Sequence, residues 1–161
     1  MTNGIYVVVV RIEEDVRIGV GALGNIDFAK GTYAYVGSAQ KGLEKRIMRH
    51  FRKSKRKFWH IDYLLDDDHV KILRTFCKEA GKAEECRTAE KFCQKNFPVN
   101  DFGSSDCECI SHLFKLRSHQ ILEELIREIH MKPDHRPKRT MAHKKFAQRL
   151  SLGTTSLVHN P

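Results

Sequence analysis

The chain opens on an apolar run, Ile5 to Ile12, broken only by Arg11. Its β-branched residues are numerous enough for a strand buried on both faces, which predicts the central strand of a sheet. Val16-Arg17-Ile18-Gly19-Val20 then alternates with period two, Leu23-Gly24-Asn25 supplies turn chemistry, and Thr32-Tyr33-Ala34-Tyr35-Val36 predicts a further strand closed by Gly37. The first third of the chain therefore reads as antiparallel sheet. Leu43, Ile47 and Phe51 recur at helical spacing with Met48 beside them, predicting an amphipathic helix over residues 41–53. Its polar face carries Arg46, Arg49, His50 and Lys53.

Phe58 to Leu65 is an aromatic and apolar cluster expected in the core. Val70 to Phe76 predicts a strand, and Lys82 to Lys95 a second helix with Ala83, Cys86, Ala89 and Cys93 along one stripe. A loop from Phe97 to Asp106, marked by Pro98, Gly103 and paired serines, leads to a last strand from Cys107 to Leu116. Ile121, Leu122, Leu125 and Ile129 mark a third helix. The expected fold is α+β, a small central antiparallel sheet flanked by helices. It spans residues 1–117, followed by an amphipathic helix over 118–131 and a basic, flexible arm over 132–161.

Charge sharpens this picture. The chain of 161 residues carries a formal charge of +9, concentrated in two places. Residues 45–57 hold eight basic side chains and no acid, and residues 132–161 hold a net +6, leaving −5 for the remainder. Such clustering is the electrostatic footprint of a polyanion binder and suits nucleic-acid phosphates, with DNA favoured. A docking face for an acidic protein is the lesser alternative. No stretch approaches the roughly 20 apolar residues of a membrane span, and the N-terminus lacks a signal-peptide pattern, so no membrane partner and a cytoplasmic location are expected. The five cysteines all lie between Cys77 and Cys109, an odd set that suits reduced thiols.

Gly4-Ile5-Tyr6 on the first strand, Tyr35-Val36-Gly37-Ser38-Ala39 on a later one, and Gly42-Leu43-Glu44-Lys45-Arg46 opening the basic helix together resemble the GIY-YIG nuclease family. The resemblance covers about residues 3–117 and continues into a mainly archaeal branch, some of whose members look like fusions to endonuclease III-like DNA glycosylases. The features that match that branch are Trp59-His60-Ile61-Asp62-Tyr63-Leu64-Leu65, Glu85-Cys86, and Phe102-Gly103-Ser104-Ser105-Asp106-Cys107 through Phe114. It implies a three-stranded antiparallel sheet with the two tyrosine motifs side by side, a metal-dependent endonuclease activity on a DNA phosphodiester, and a role in DNA repair. The 29 positions between Tyr6 and Tyr35 exceed the spacing of smaller members and require an inserted hairpin around residues 13–31.

Hydrolysing a phosphodiester needs an activated water, a counter-charge for the phosphate oxygens and help for the leaving alkoxide. By the resemblance, Tyr6 is the candidate base or water-positioner, its phenolate favoured by a neighbouring cation, and Tyr35 is its supporting partner. Arg46 offers a planar fork for phosphate oxygens, with Arg49 and His50 one turn along as assistants or proton donors. Arg49, Lys53, Lys55, Arg56 and Lys57 are the candidate backbone-binding cations.

A hard cation such as Mg²⁺ needs as little as one carboxylate, which the family places on the later helix. Glu84 points away from the cysteine stripe, while Glu85 and Glu90 flank it. The Glu85-Cys86 match favours Glu85 as metal ligand, and Glu90 stays open. Cys107-Glu108-Cys109-Ile110-Ser111-His112 invites a zinc reading. On a strand, however, His112 faces away from both thiols and no fourth ligand is evident, so small core thiols are the preferred reading. A non-catalytic nucleic-acid-binding module on the same fold is the alternative to a nuclease.

Overall fold

The opening apolar run is strand β1 (Gly4–Ile12), and nearly every residue in it is buried, odd and even positions alike. Neighbours must therefore cover both its faces and both its edges. In the computed structural model, which describes residues 3–134, that is what the rest of the chain does. A hairpin of β2 (Val16–Gly19) and β3 (Asn25–Phe28) forms a sheet of its own, so the expected insertion is accommodated outside the main sheet. Strand β4 (Gly31–Ala39) pairs antiparallel with one edge of β1. Helices α1 (Leu43–His50) and α2 (His60–Leu65) then lead to β5 (Val70–Lys78) on the other edge. A bulge in β5 opposite Val9 and Val10 leaves Leu73 exposed.

Helix α3 (Ala83–Lys95), the short strands β6 (Phe97–Pro98) and β7 (Leu113–Lys115), helix α4 (His119–Glu128) and strand β8 (Lys132–Pro133) complete the fold. The main sheet is antiparallel throughout, in the order β6-β7-β4-β1-β5-β8. Its three long central strands, β4, β1 and β5, are widened at both edges by short segments.

Each face of β1 has its own core. Tyr6, Val8, Val10 and Ile12 pack with Leu43 and Ile47 of α1 and Ile61 and Leu64 of α2. Ile5, Val7 and Val9 pack on the reverse face with Phe92 of α3 and Leu122 and Leu125 of α4. Helix α4, capped by the Ser118 hydroxyl accepting from Ile121 N, is thus integral to the domain. Fully burying Leu122 and Leu125 contributes about 1.5–3 kcal/mol each.

Four local expectations are corrected. Phe58 lies 76% exposed and Trp59 half-buried, while Ile61, Leu64 and Leu65 supply the apolar packing of that segment. The buried stripe of α3 is Thr88, Ala89 and Phe92, because the large Phe92 ring takes the interior and turns Cys86 and Cys93 toward the surface. Residues 107–111 are bends and irregular chain, with only Leu113–Lys115 in a strand. Of the arm expected from Lys132, Lys132 and Pro133 pair with the edge of β5, and residues 135–161 lie outside the described residues. No helix among the described residues is long and apolar enough to cross a membrane.

Candidate active site

Strand register brings the two tyrosines together. Tyr6 stands opposite Gly37 and Tyr35 opposite Val8, so both side chains project from the same face, diagonally adjacent, with ring centroids 6.5 Å apart. The Tyr6 ring lies across Gly37: a Cβ added there would sit 2.5 Å from the Tyr6 hydroxyl, well inside contact distance. Glycine is required at position 37 by this close approach.

Helix α1 delivers the cation. Arg46 projects toward Tyr6, donates from Nη1 to the Ser38 carbonyl at 3.3 Å, and lays its guanidinium 4.3 Å over the Trp59 ring. Helix α3 delivers the carboxylate: Glu85 Oε2 accepts from the Ser38 hydroxyl at 2.6 Å, and Oε1 lies 3.4 Å from His112 Nδ1. Tyr6, Tyr35, Ser38, Arg46, Trp59 and Glu85 line one cleft of about 450 Å³, with Lys41, Lys82 and Asp106 also on its walls. Gly103 closes one side. Its φ of 73° demands glycine or strain, and a Cβ there would press to 3.0 Å from the Tyr35 ring.

His50 does not sit on the polar face of its helix. It is 2% exposed, because it falls three residues after Ile47 and seven after Leu43, on the buried stripe. Its Nε2 lies 2.8 Å from the Tyr6 hydroxyl. Burial, with Lys55 and Arg49 nearby, pushes its pKa down to about 3, so the ring is neutral. Its Nδ1 has no hydrogen-bond partner among the described residues. A buried orphan N–H is rarer and costlier than a spare lone pair, which assigns the proton to Nε2, donating to the Tyr6 oxygen.

Burial likewise raises the Tyr6 pKa well above the usual phenol value, and Arg46 only partly offsets it. The expectation of a cation-stabilised phenolate is therefore corrected: desolvation outweighs the single charge. Tyr6 keeps its proton, accepts from His50, and has that proton to offer to the cleft. Tyr35 is raised too, by burial and then by Tyr6. Glu85 titrates below the ordinary carboxylate range even though burial works against it, because His112 and Ser38 hydrogen-bond its charged form. Burial opposes charge on His112, and Glu85 outweighs it, so that histidine is raised.

Within the basic run Arg46, Arg49 and Lys55 are partly buried, and Lys45, Arg52, Lys53, Arg56 and Lys57 stay exposed. Arg49 forks onto Asp62, with Nη1–Oδ1 at 2.7 Å and Nη2–Oδ2 at 2.9 Å, and stacks 4.4 Å from Trp59. Asp62 is wholly buried and also accepts from the backbone N–H groups of Phe58 and Trp59. Lys55 donates to the carbonyls of Arg49 and His50 at the end of α1, Lys53 to the Leu65 carbonyl, and Lys57 pairs with Asp66 at 2.9 Å. Arg52 and Arg56 are exposed. Of the five candidate backbone-binding cations, Arg56 is the one whose side chain engages no described neighbour.

Glu90 lines a different groove, with Cys86, Cys93 and Cys109, and takes no part in the cleft. Glu85 and Asp106 are the carboxylates there. Both Glu85 oxygens retain lone pairs, and the cleft has room for waters, so this donor set fits a Mg²⁺ ion that keeps most of its hydration. Ser38, Trp59, Asp62 and Asp106 were not singled out individually from sequence, although each falls within a quoted motif. Only their contacts reveal their parts.

A family model described as "Domain of unknown function DUF123" matches residues 5–134. No curated protein and no solved structure matches the chain.

Proposed function

The chain belongs to the DUF123 family, and we propose that it is a nucleic-acid-binding, metal-dependent endonuclease of GIY-YIG type that hydrolyses a DNA phosphodiester, with DNA repair as its setting. The observation that carries this reading is the convergence of Tyr6, Tyr35, Arg46 and Glu85, from β1, β4, α1 and α3, on one cleft. Arg46, held flat between Trp59 and the Ser38 carbonyl, presents its remaining donors to non-bridging phosphate oxygens. Tyr6 donates its hydroxyl hydrogen bond to a non-bridging phosphate oxygen, while neutral His50 behind it keeps the hydroxyl aimed. Tyr35 packs against the Tyr6 ring and walls off solvent.

Glu85, ionised and fixed by Ser38 and His112, would hold the divalent cation, with Asp106 on the same wall. When bound, that cation supplies positive charge opposite the phosphate oxygens and acidifies a water. Exposed Phe58, edge-on to Trp59 at the mouth, offers a surface on which an unpaired base can stack.

The test is incubation of labelled branched, flapped and single-stranded DNA with and without Mg²⁺. Arg46→Ala and Glu85→Gln are expected to abolish product while retention of DNA persists; unchanged cleavage by either variant refutes the assignment. One observation favours the alternative of a DNA- or RNA-binding module without catalysis: both Glu85 oxygens are already engaged within the protein. That reading predicts salt-sensitive retention with no product from any substrate.

A further inference from the structure

Outside the cleft, the side chains of Cys86, Cys107, Cys109 and His112 converge, with their ligand atoms all within 4.8 Å of one another. One comes from α3 and three from the bent, irregular segment that precedes β7. A tetrahedral ion bound at about 2.3 Å to sulfur and 2.0–2.1 Å to imidazole needs its ligands about 3.8 Å apart, so an adjustment of at most about 1 Å closes the set. The expectation that His112 faces away from the thiols fails because residues 107–112 turn instead of extending. The fourth group, Cys86, is 21 residues upstream of Cys107, out of reach of any local spacing rule.

These thiols do not behave as core filler. Cys77 is buried in the sheet, but Cys86, Cys107 and Cys109 are all partly exposed and gathered on one another and on His112, with Cys107 Sγ 3.4 Å from His112 Nε2. A disulfide would satisfy two of the three and strand the other. His112 is already set as a ligand. Its backbone N–H donates to Phe102 O and its carbonyl accepts from Val36 N, while Nδ1 lies 3.1 Å from the Val36 carbonyl and 3.4 Å from Glu85 Oε1. Nδ1 thus carries the proton and donates it to those oxygens, turning the Nε2 lone pair toward the sulfurs. Outer-sphere partners of this kind fix the tautomer of metal-bound histidines.

We propose that Cys86, Cys107, Cys109 and His112 form a closed, structural Zn²⁺ site. Three thiol protons leave for solvent as three Zn–S bonds form, and neutral His112 supplies the fourth bond through Nε2, giving a centre of net charge −1. With four protein ligands no position is open, so the ion clasps and does not catalyse. It ties α3 to the turn carrying Gly103 and Asp106, and through His112 it steadies Glu85. The site stands whether or not the cleft cleaves DNA.

The test uses the full chain, produced without a metal-chelating tag in zinc-supplemented medium. Elemental analysis is expected to give one zinc per chain in the wild type and in Cys93→Ser, whose thiol lies outside the cluster, and at least about tenfold less in Cys109→Ser and His112→Gln. Because those variants can lose their fold, the wild type is also stripped, kept reduced and titrated with Co²⁺. The expected result is the intense visible absorption of a tetrahedral thiolate complex, saturating at one equivalent. Wild-type chain that is folded yet binds neither zinc nor cobalt at one equivalent, a weak octahedral cobalt spectrum, or loss of zinc from Cys93→Ser as complete as from Cys109→Ser, overturns the proposal.

Discussion

Gly37→Ala is the sharpest probe of how the cleft is built. The backbone at position 37 is ordinary strand, so alanine introduces no conformational strain, and replacing a strand glycine would by itself stabilise by about 0.5–1 kcal/mol. Against that gain, the new methyl meets the Tyr6 ring, 2.5 Å from its hydroxyl and 2.8 Å from a ring carbon, where ordinary contact begins near 3.4 Å. The ring must retreat by nearly 1 Å in a packed interior, at a cost of about 1–3 kcal/mol. Such a shift also breaks the 2.8 Å bond to His50, worth about 1 kcal/mol more. The clash wins, for a net loss of about 1–3 kcal/mol in urea unfolding. Gly81→Ala, whose added Cβ meets nothing within 4 Å, is the control and should be neutral or slightly stabilising. In a Tyr6→Ala background the Gly37→Ala penalty should vanish, a coupling that only contacting residues show. Equal stability of Gly37→Ala and Gly81→Ala would refute the placement of the Tyr6 ring.

The remaining predictions concern titration, the buried ion pair and the grip on DNA. His50 binds a proton near pH 6.5 when unfolded but only near pH 3 when folded, so the unfolded state takes up more protons in between and stability falls as pH drops through that window. At pH 5 its share of the loss is about 2 kcal/mol; His50→Gln should therefore lose less stability than wild type between pH 7 and pH 5 in parallel denaturant titrations, and identical slopes would show His50 to be accessible to protons. Asp62→Ala, which orphans the Arg49 fork and two backbone N–H groups, should cost about 3–5 kcal/mol, whereas exposed Arg56→Ala should stay within about 0.5 kcal/mol of wild type and instead flatten the salt dependence of DNA binding. Phe58→Ala should weaken single-stranded DNA binding by about 1–3 kcal/mol without changing the unfolding midpoint; equal affinity would remove it as a stacking surface. Truncation after Asp134, which spares β8 and removes only the basic tail, should lower affinity and leave cleavage at saturation intact, and unchanged affinity would show the tail to be idle.

The elements that long apolar patterns announce are all present. The run at Ile5–Ile12 could only be a strand buried on both sides, and the alternation at Val16–Val20 only a half-buried ribbon. What the pattern could not give was rotation and company. Helical spacing groups His50 with Arg46, Arg49 and Lys53 on the polar face, yet its phase relative to Leu43 and Ile47 also fits the buried stripe, and the structure puts it beneath Tyr6. The basic residues from Lys45 to Lys57 looked like a free basic patch, but buried Asp62 holds Arg49 and the carbonyls at the end of α1 hold Lys55, and pairing of that kind leaves no trace in spacing. Residues 107–112 read as the start of a last strand running from Cys107 to Leu116. The turn at Gly103 and the bonds that pin His112 make that segment fold back, which is what gathers the thiols. Tyr6, Tyr35, Arg46 and Glu85, on regular strands and helices, were legible; Ser38, and Trp59 and Asp106 from irregular segments, were not.

Whether the cleft is where a phosphodiester is broken is tested most directly by single-turnover cleavage at saturating enzyme, wild type beside Glu85→Gln, with DNA affinity measured on the same preparations. Affinity within about twofold together with a cleavage rate lower by at least about 100-fold is the expected outcome, since the carboxylate acts on the transition state and not on the bound duplex. Equal rates at equal affinity would contradict it and remove Glu85 from the chemistry.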